Sequence, residues 1–546
     1  MEYWDVLVVG DGPAALRAAL ASTSAGARTM LLSEGGLGHS GIGLAENAIA
    51  ASLLESTTKG HRDDTIRTGG WLCDQDIVSS RASSAASIIA ELERWGLVFR
   101  RDSAGLPHSF AGLGHTTPRV SGCGDGTTRG VQQVLEERCI RDNIHRRGEC
   151  FPLKLIVEES RIKGLIYYDL SQGRIDVIQA KAIILADAGF EGAWNGVSNG
   201  GTGMAIAARA GISLRNLEFQ SWSPLNVAGT NLNLPNGLLA NGGSIISPTG
   251  ETIGAKGSLS PTQIAAAMTA EGAGCVLDSR HISGDGSAWY AHTISLLNQR
   301  TGLDLGSDVI PVQPSVSATI GGIPADEHGR AVNGEWGNWM SGLYAVGDAA
   351  SSGFHGASMA WGNRLLDDLL SGRDAGDHAG KWAAASKAPP SSLLEESRQE
   401  VEANINERLL NDSGSSKIGA VRSSLRNELS AGMSLQRDGE SLETCLAGLA
   451  QLKDISATAN VEDSSLLMNT NLLEALRLEN GCLLAHMATS AALSRCESRG
   501  SHLRSDNVQQ DNDNCLKHSL VSMEGDVTNL PIRMSVAGVW ILAPEV

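Results

Sequence analysis

The chain is 546 residues long and 42% hydrophobic, which is enough apolar material for more than one core, so two or three domains are expected. Its 61 acidic residues outnumber 43 basic ones for a net charge of −18, which argues against a nucleic-acid or anionic-membrane surface and leaves small molecules and protein partners. Nine cysteines without one C-x-x-C pair lack the usual iron–sulfur and zinc spacings and read as reduced cytosolic thiols, and no run approaches the roughly 18 apolar residues of a membrane span.

Trp4 to Val9 is a β-branched run ending in glycine, and helical periodicity follows from Pro13 to Ser24. The chain thus enters a strand at once, and no signal peptide is expected. A second apolar run, Thr29 to Leu32, ends at Ser33-Glu34 and completes a parallel βαβ unit. Further strands are expected at Leu153–Glu158, Gly164–Asp169 and Ala182–Ala186, the last a continuous apolar run of the kind buried in a doubly wound sheet. From Gln220 to Ser317 glycine-, asparagine- and serine-rich loops alternate with short strands, which reads as an inserted second domain. Gly342–Gly347 returns to a strand pattern, so the chain re-enters the first domain. Ala383–Ser392, with Pro389-Pro390, is a linker candidate. Helical periodicity then covers Ser392–Leu410, Ile418–Ala431, Leu442–Leu452 and Asn471–Cys496, followed by a tail read as irregular.

Gly10-Asp11-Gly12-Pro13-Ala14-Ala15 fits G-x-G-x-x-G/A between strand and helix, which is the context a dinucleotide site needs. Gly10 permits the tight turn, Gly12 lets the backbone approach a pyrophosphate, and Ala15 keeps helix close to strand while the helix N-terminus offers its N–H groups. Glu34 is placed to accept from a ribose hydroxyl. The fingerprint alone does not separate NAD from FAD.

Several segments together resemble the flavoprotein subunits of succinate dehydrogenase and fumarate reductase, a family that includes L-aspartate oxidase. His61-Arg62-Asp63-Asp64-Thr65 with Trp71 to Asp76, and Gly203-Met204-Ala205 with Arg209-Ala210-Gly211 and Glu218-Phe219, carry part of it. Gly342 to Ala350 carries more, through the family's strand and the acidic residue, here Asp348, that holds the flavin ribityl chain. Asn363 and Leu365-Leu366 align beside the isoalloxazine ring, and Glu497 to Asp506 follows E-S-R-G-x-H-x-R-x-D. The resemblance implies FAD and an α/β fold: a Rossmann-like FAD-binding domain (1–219 and, on return, 318–382), an inserted α+β capping domain (220–317), a C-terminal helical domain (383–500) and the tail (501–546). It also places His39-Ser40 where relatives attach FAD through histidine. The family's following A-Q-G-G-I stands here as Ala45-Glu46-Asn47-Ala48-Ile49, about two residues late, so a reshaped loop is expected.

The resemblance further implies two histidines and two arginines for a dicarboxylate, and none is present. Ser223 stands at the first histidine, Leu239 at the arginine of T-E-x-x-R-G-E-G, Ser317 at the second histidine and Met359 at the second arginine. Arg364, at a family serine position beside the flavin, is a candidate replacement, and His115 and Arg119 are further polar candidates in a loop. Ser223, Ser317 and Arg364 are therefore taken as the catalytic candidates, with Trp222 and Thr319 as lining. Three functions are consistent with this pattern: a flavoenzyme acting on a less charged small molecule; a succinate dehydrogenase or fumarate reductase subunit with a rearranged site; or a silent flavoprotein subunit. Electron transfer to an iron–sulfur partner in a membrane-anchored complex would place the chain in the cytoplasm, peripheral to the inner membrane face.

Overall fold

The computed structural model describes residues 2–38, 47–196, 199–254, 259–282, 288–334, 337–388, 392–410 and 416–545. His39 and Ser40 lie outside the described residues. The elements that position the site are β1 (Glu2–Val9), α1 (Pro13–Ser24), β2 (Thr29–Leu32), α2 (Glu55–Thr68), β3 (Arg161–Asp169), β4 (Arg174–Leu185), α3 (Thr202–Arg209), β5 (Gln220–Val227), α4 (Pro261–Glu271), β6 (Val309–Thr319), β7 (Asn338–Ala345), α5 (Asn363–Ala385), α6 (Ser392–Leu410), α7 (Ile418–Gly432), α8 (Gly439–Ala457) and α9 (Thr470–Ser494).

The central sheet runs Arg330–Asn333, β7, β3, β4, β1, β2 and His145–Arg147, with Cys150–Glu158 paired to β3. β4, β1 and β2 are parallel neighbours, and β7 also lies parallel to β4, which confirms the doubly wound core and the chain's return to it. Val6, Leu7, Val8 and Ile183, Ile184, Leu185 are fully buried, as both-face coverage of a parallel sheet requires. On one face α1 packs on α5 through Gly372, Gly376 and Gly380, one per turn. A Cβ at these positions would lie 2.5, 2.3 and 2.9 Å from the carbonyl oxygens of Ala14, Ala18 and Ser22. Only glycine lets the two backbones meet this closely.

The inserted segment forms a five-stranded antiparallel sheet ordered β5, β6, Val276–Asp278, Ser244–Ile246 and Thr252–Ile253. β6 runs on past Ser317 to Thr319, which is paired with Gln220 at the start of β5. α4 packs on this sheet, started by a capping box between Ser260 and Gln263. The C-terminal helices α6 to α9 bury Leu425, Leu429, Leu449 and Leu484 against one another and against Phe190 and Trp194. The tail is more regular than its sequence suggests. Lys517–Val521 pairs with Val527–Pro531 and with Leu214–Arg215, a partner far upstream that no local pattern signals.

Candidate active site

Val9 is in register with both Leu32 and Leu185, and Leu185 with Ala345, so four parallel strands end at one edge of the sheet. The residues just beyond them, Gly10, Glu34, Asp187 and Asp348, are therefore gathered outside the carboxyl ends, where open α/β sheets bind their ligands. Gly10 has φ +129°, and a Cβ there would fall 2.3 Å from the Ala186 carbonyl oxygen. Gly12 precedes α1 and has open space where its Cβ would be, while Ala15 is fully buried against the strand. The first turn of α1 has no acidic residue and no side-chain cap, so its N–H groups remain available to an anion. A cavity of about 650 Å³ opens here, lined by Gly10, Glu34, Asp187, Ser317, Arg364 and Arg477 among others. These features fit the diphosphate and ribose of a dinucleotide.

The cavity wall is strongly charged. Glu34 is ion-paired to Arg477 of α9 and accepts from Thr202 Oγ1 at 3.1 Å. Burial raises its pKa, and Arg477 opposes the rise. Asp187 accepts from the Gly203 N–H at 2.6 Å, capping α3, and its Oδ1 has no hydrogen-bond partner. Burial, then the charges of Glu34 and Asp348, push it up to about 7. Glu191 receives a 2.7 Å hydrogen bond from Asn199 while its Oε2 is unpartnered, and burial with the Asp348 charge raises it too. The Arg364 guanidinium lines the same cavity and forks onto Asp348, with Nε 2.9 Å from Oδ1. Burial works against its charge, but Asp348 and Glu191 hold its pKa above the ordinary arginine value. Asp187, Glu191 and Arg477 were not singled out from the sequence. Asp187 carried a local signal, since it stands one residue past a buried apolar run.

Asn363 opens α5, but its amide faces the protein. Oδ1 lies 2.8 Å from His61 Nε2, and Nδ2 donates to Thr65 Oγ1 at 3.0 Å. Leu365 is 2% exposed and belongs to the core behind the sheet. The loop candidates His115 and Arg119 are buried. Arg119 is ion-paired to Asp64 and 3.0 Å from His115 Nδ1, and His115 Nε2 is 2.9 Å from the Trp361 carbonyl oxygen. Burial lowers His61 to about 4 and His115 to about 3, so both are neutral at physiological pH.

None of Ser223, Leu239, Ser317 and Met359 brings a charge to this region. Ser223 is 1% exposed, and its hydroxyl accepts from the Leu225 N–H at 3.3 Å. Ser317 donates to the Ser221 carbonyl at 3.2 Å and lines the cavity. Two residues on along β6, Thr319 Oγ1 is buried without a partner, as is Trp222 Nε1. Leu239 packs into the cap's apolar cluster, and Met359 into another with Leu72, Phe219 and Ile320. The Glu497 to Asp506 signature is structural. Arg495 bridges Glu218 at 2.7 Å and Glu497 at 3.0 Å, and Arg499 pairs with Glu497 at 2.7 Å, in a buried chain that ties the start of the cap to the C-terminal region.

Comparison with known proteins agrees with this geometry. Residues 5–365 match the FAD binding domain family, and residues 422–539 match the fumarate reductase flavoprotein C-terminal family. The chain is 26% identical to the succinate dehydrogenase flavoprotein subunit of Rickettsia conorii, covering 95% of this chain and 93% of that one. It is 28% identical to the fumarate reductase flavoprotein subunit of Mycobacterium tuberculosis, covering 96% and 95%. A chain of E. coli quinol fumarate reductase superposes with a TM-score of 0.91 at 26% identity, covering 100% of this chain and 99% of that chain. The chain therefore belongs to the family of FAD-binding flavoproteins that contains the succinate dehydrogenase and fumarate reductase flavoprotein subunits, and it is an FAD-dependent oxidoreductase of that family.

Proposed function

We propose that the protein moves two electrons between FAD and a small organic substrate that carries at most one negative charge, and passes them to an iron–sulfur partner. One observation carries the substrate reading. Of the cavity-lining arginines, Arg364 and Arg477 are ion-paired, and only Arg300, on a cap helix, has no ion-pair partner among the described residues. Desolvating a dianion without opposing charge costs several kcal/mol per ion, roughly, whereas one carboxylate is within the reach of one arginine. Bound FAD supplies the hydride chemistry. The chain's own part is to hold the diphosphate at the α1 N-terminus, fix Asp348 with Arg364, and present the Ser317 and Thr319 hydroxyls from one face of β6.

The partner reading rests on the relatives, which are named as subunits. No helix among the described residues is long and apolar enough to cross a membrane, so attachment to one would run through partner chains. The test is anaerobic mixing of the oxidised holoprotein with succinate and, separately, with a set of small monocarboxylates, following the visible flavin band. Bleaching by a monocarboxylate and not by succinate is expected. Bleaching by succinate would overturn the substrate assignment, and silence toward every compound would instead indicate a subunit without turnover.

A further inference from the structure

The Glu34–Arg477 pair joins two segments separated by 443 residues of chain. Glu34 follows the second parallel strand, where an acidic residue takes a ribose hydroxyl in folds of this kind. Arg477 stands on α9, outside residues 5–365 that match the FAD binding domain family. Its Nε is committed to Glu34 Oε1 and its Nη1, at 2.7 Å, to Glu474 Oε1, while no described residue is hydrogen-bonded to Nη2. On the other side, Thr202 Oγ1 donates to Glu34 Oε2, which keeps a spare lone pair. Gly200 brings the turn before α3 against α9, since a Cβ there would lie 3.1 Å from the Arg477 carbonyl oxygen. Glu34 and Arg477 line the same cavity as Gly10. A ribose diol needs an acceptor for its O–H and a donor for its oxygen, and this pair presents both side by side in a fixed orientation.

We infer that Glu34 and Arg477 together hold the adenosine ribose of FAD, so that cofactor binding also docks the C-terminal helices onto the nucleotide domain. This assignment is independent of the substrate, because it concerns the end of the cofactor that takes no part in hydride transfer. It makes α9 a cofactor-binding element and predicts that the helical domain responds to whether the adenosine is present.

FMN, which lacks the adenosine, provides the control. Apo protein carrying His39→Ala, so that no covalent link can retain the flavin, is titrated with FAD and with FMN, with and without Arg477→Ala. Arg477→Ala is expected to weaken FAD binding about tenfold or more, the size of a hydrogen bond to a charged group, and to leave FMN binding unchanged. Glu34→Gln, which keeps the side-chain volume, is expected to act in the same direction to a smaller extent, and it serves as the test should Arg477→Ala not fold. FAD, but not FMN, should slow amide exchange across Thr470–Ser494, and that protection should vanish in Arg477→Ala. Equal loss of FAD and FMN affinity would make the pair a domain contact only. Unchanged FAD affinity would remove it from the cofactor site, and either result overturns the inference.

Discussion

The sheet side of the cleft is crowded with charge, with Glu34, Asp187, Glu191 and Asp348 set among Arg364 and Arg477, whereas the cap side offers Asn231, Asn233, the Ser317 hydroxyl, the hydrocarbon of Leu232 and Leu296, and one cation, Arg300. The difference separates two tasks. Holding the cofactor depends on where parallel strands end, which is a property of the fold, while recognising a substrate depends on side chains supplied by the insertion. One wall keeps its chemistry when the other changes.

The most severe way to break the sheet wall is Gly10→Ala. Its Cβ would enter the Ala186 carbonyl at a positive φ, and the purified protein is expected to carry no flavin, read from the visible spectrum. Next in size is Met359→Arg, which places an unpaired charge in a cluster with Leu72 and Phe219. A loss of about 3 kcal/mol or more is expected from the shift in urea midpoint, and unchanged stability would mean that this cluster can house a charge after all. Arg364→Ala should cost slightly less, about 3 kcal/mol at neutral pH, by leaving Asp348 and Glu191 without their cation, with Arg364→Lys recovering part of it.

The smallest effect is the most specific. Asp187 is raised to about 7 by burial and by the neighbouring carboxylates, so its folded form stays protonated where the unfolded form ionises. Its share of stability is full below pH 4 and is lost as pH rises to about 7. Asp187→Asn should therefore leave Tm unchanged near pH 4, raise it progressively up to pH 7 and hold that gain above. A gain that is flat from pH 4 upward would contradict the charged crowding of this wall.

How much of this was legible follows the range of the interactions. The Gly10 to Ala15 turn, the return at Gly342 and the helix Ser392–Leu410 rest on local periodicity and turn chemistry, and they stand where the sequence puts them. The His61–Asn363 contact spans 302 residues and Arg119–Asp64 spans 55, and neither has a local pattern, so the burial of His61, His115 and Arg119 had no signal in the sequence. The pairing of Arg364 was hidden for a related reason: its direction is set by Asp348, 16 residues away on another element. The tail misled because its strand is completed by Leu214–Arg215.

The glycines at 372, 376 and 380 bring α1 and α5 together with no side chain to cushion them. The helix whose uncapped first turn opens on the cavity and the helix that begins at Asn363 and Arg364 are thus locked as a rigid gauge. The span between their two N-termini is set by backbone on backbone, and a ligand of another length would find one end in place and the other out of reach.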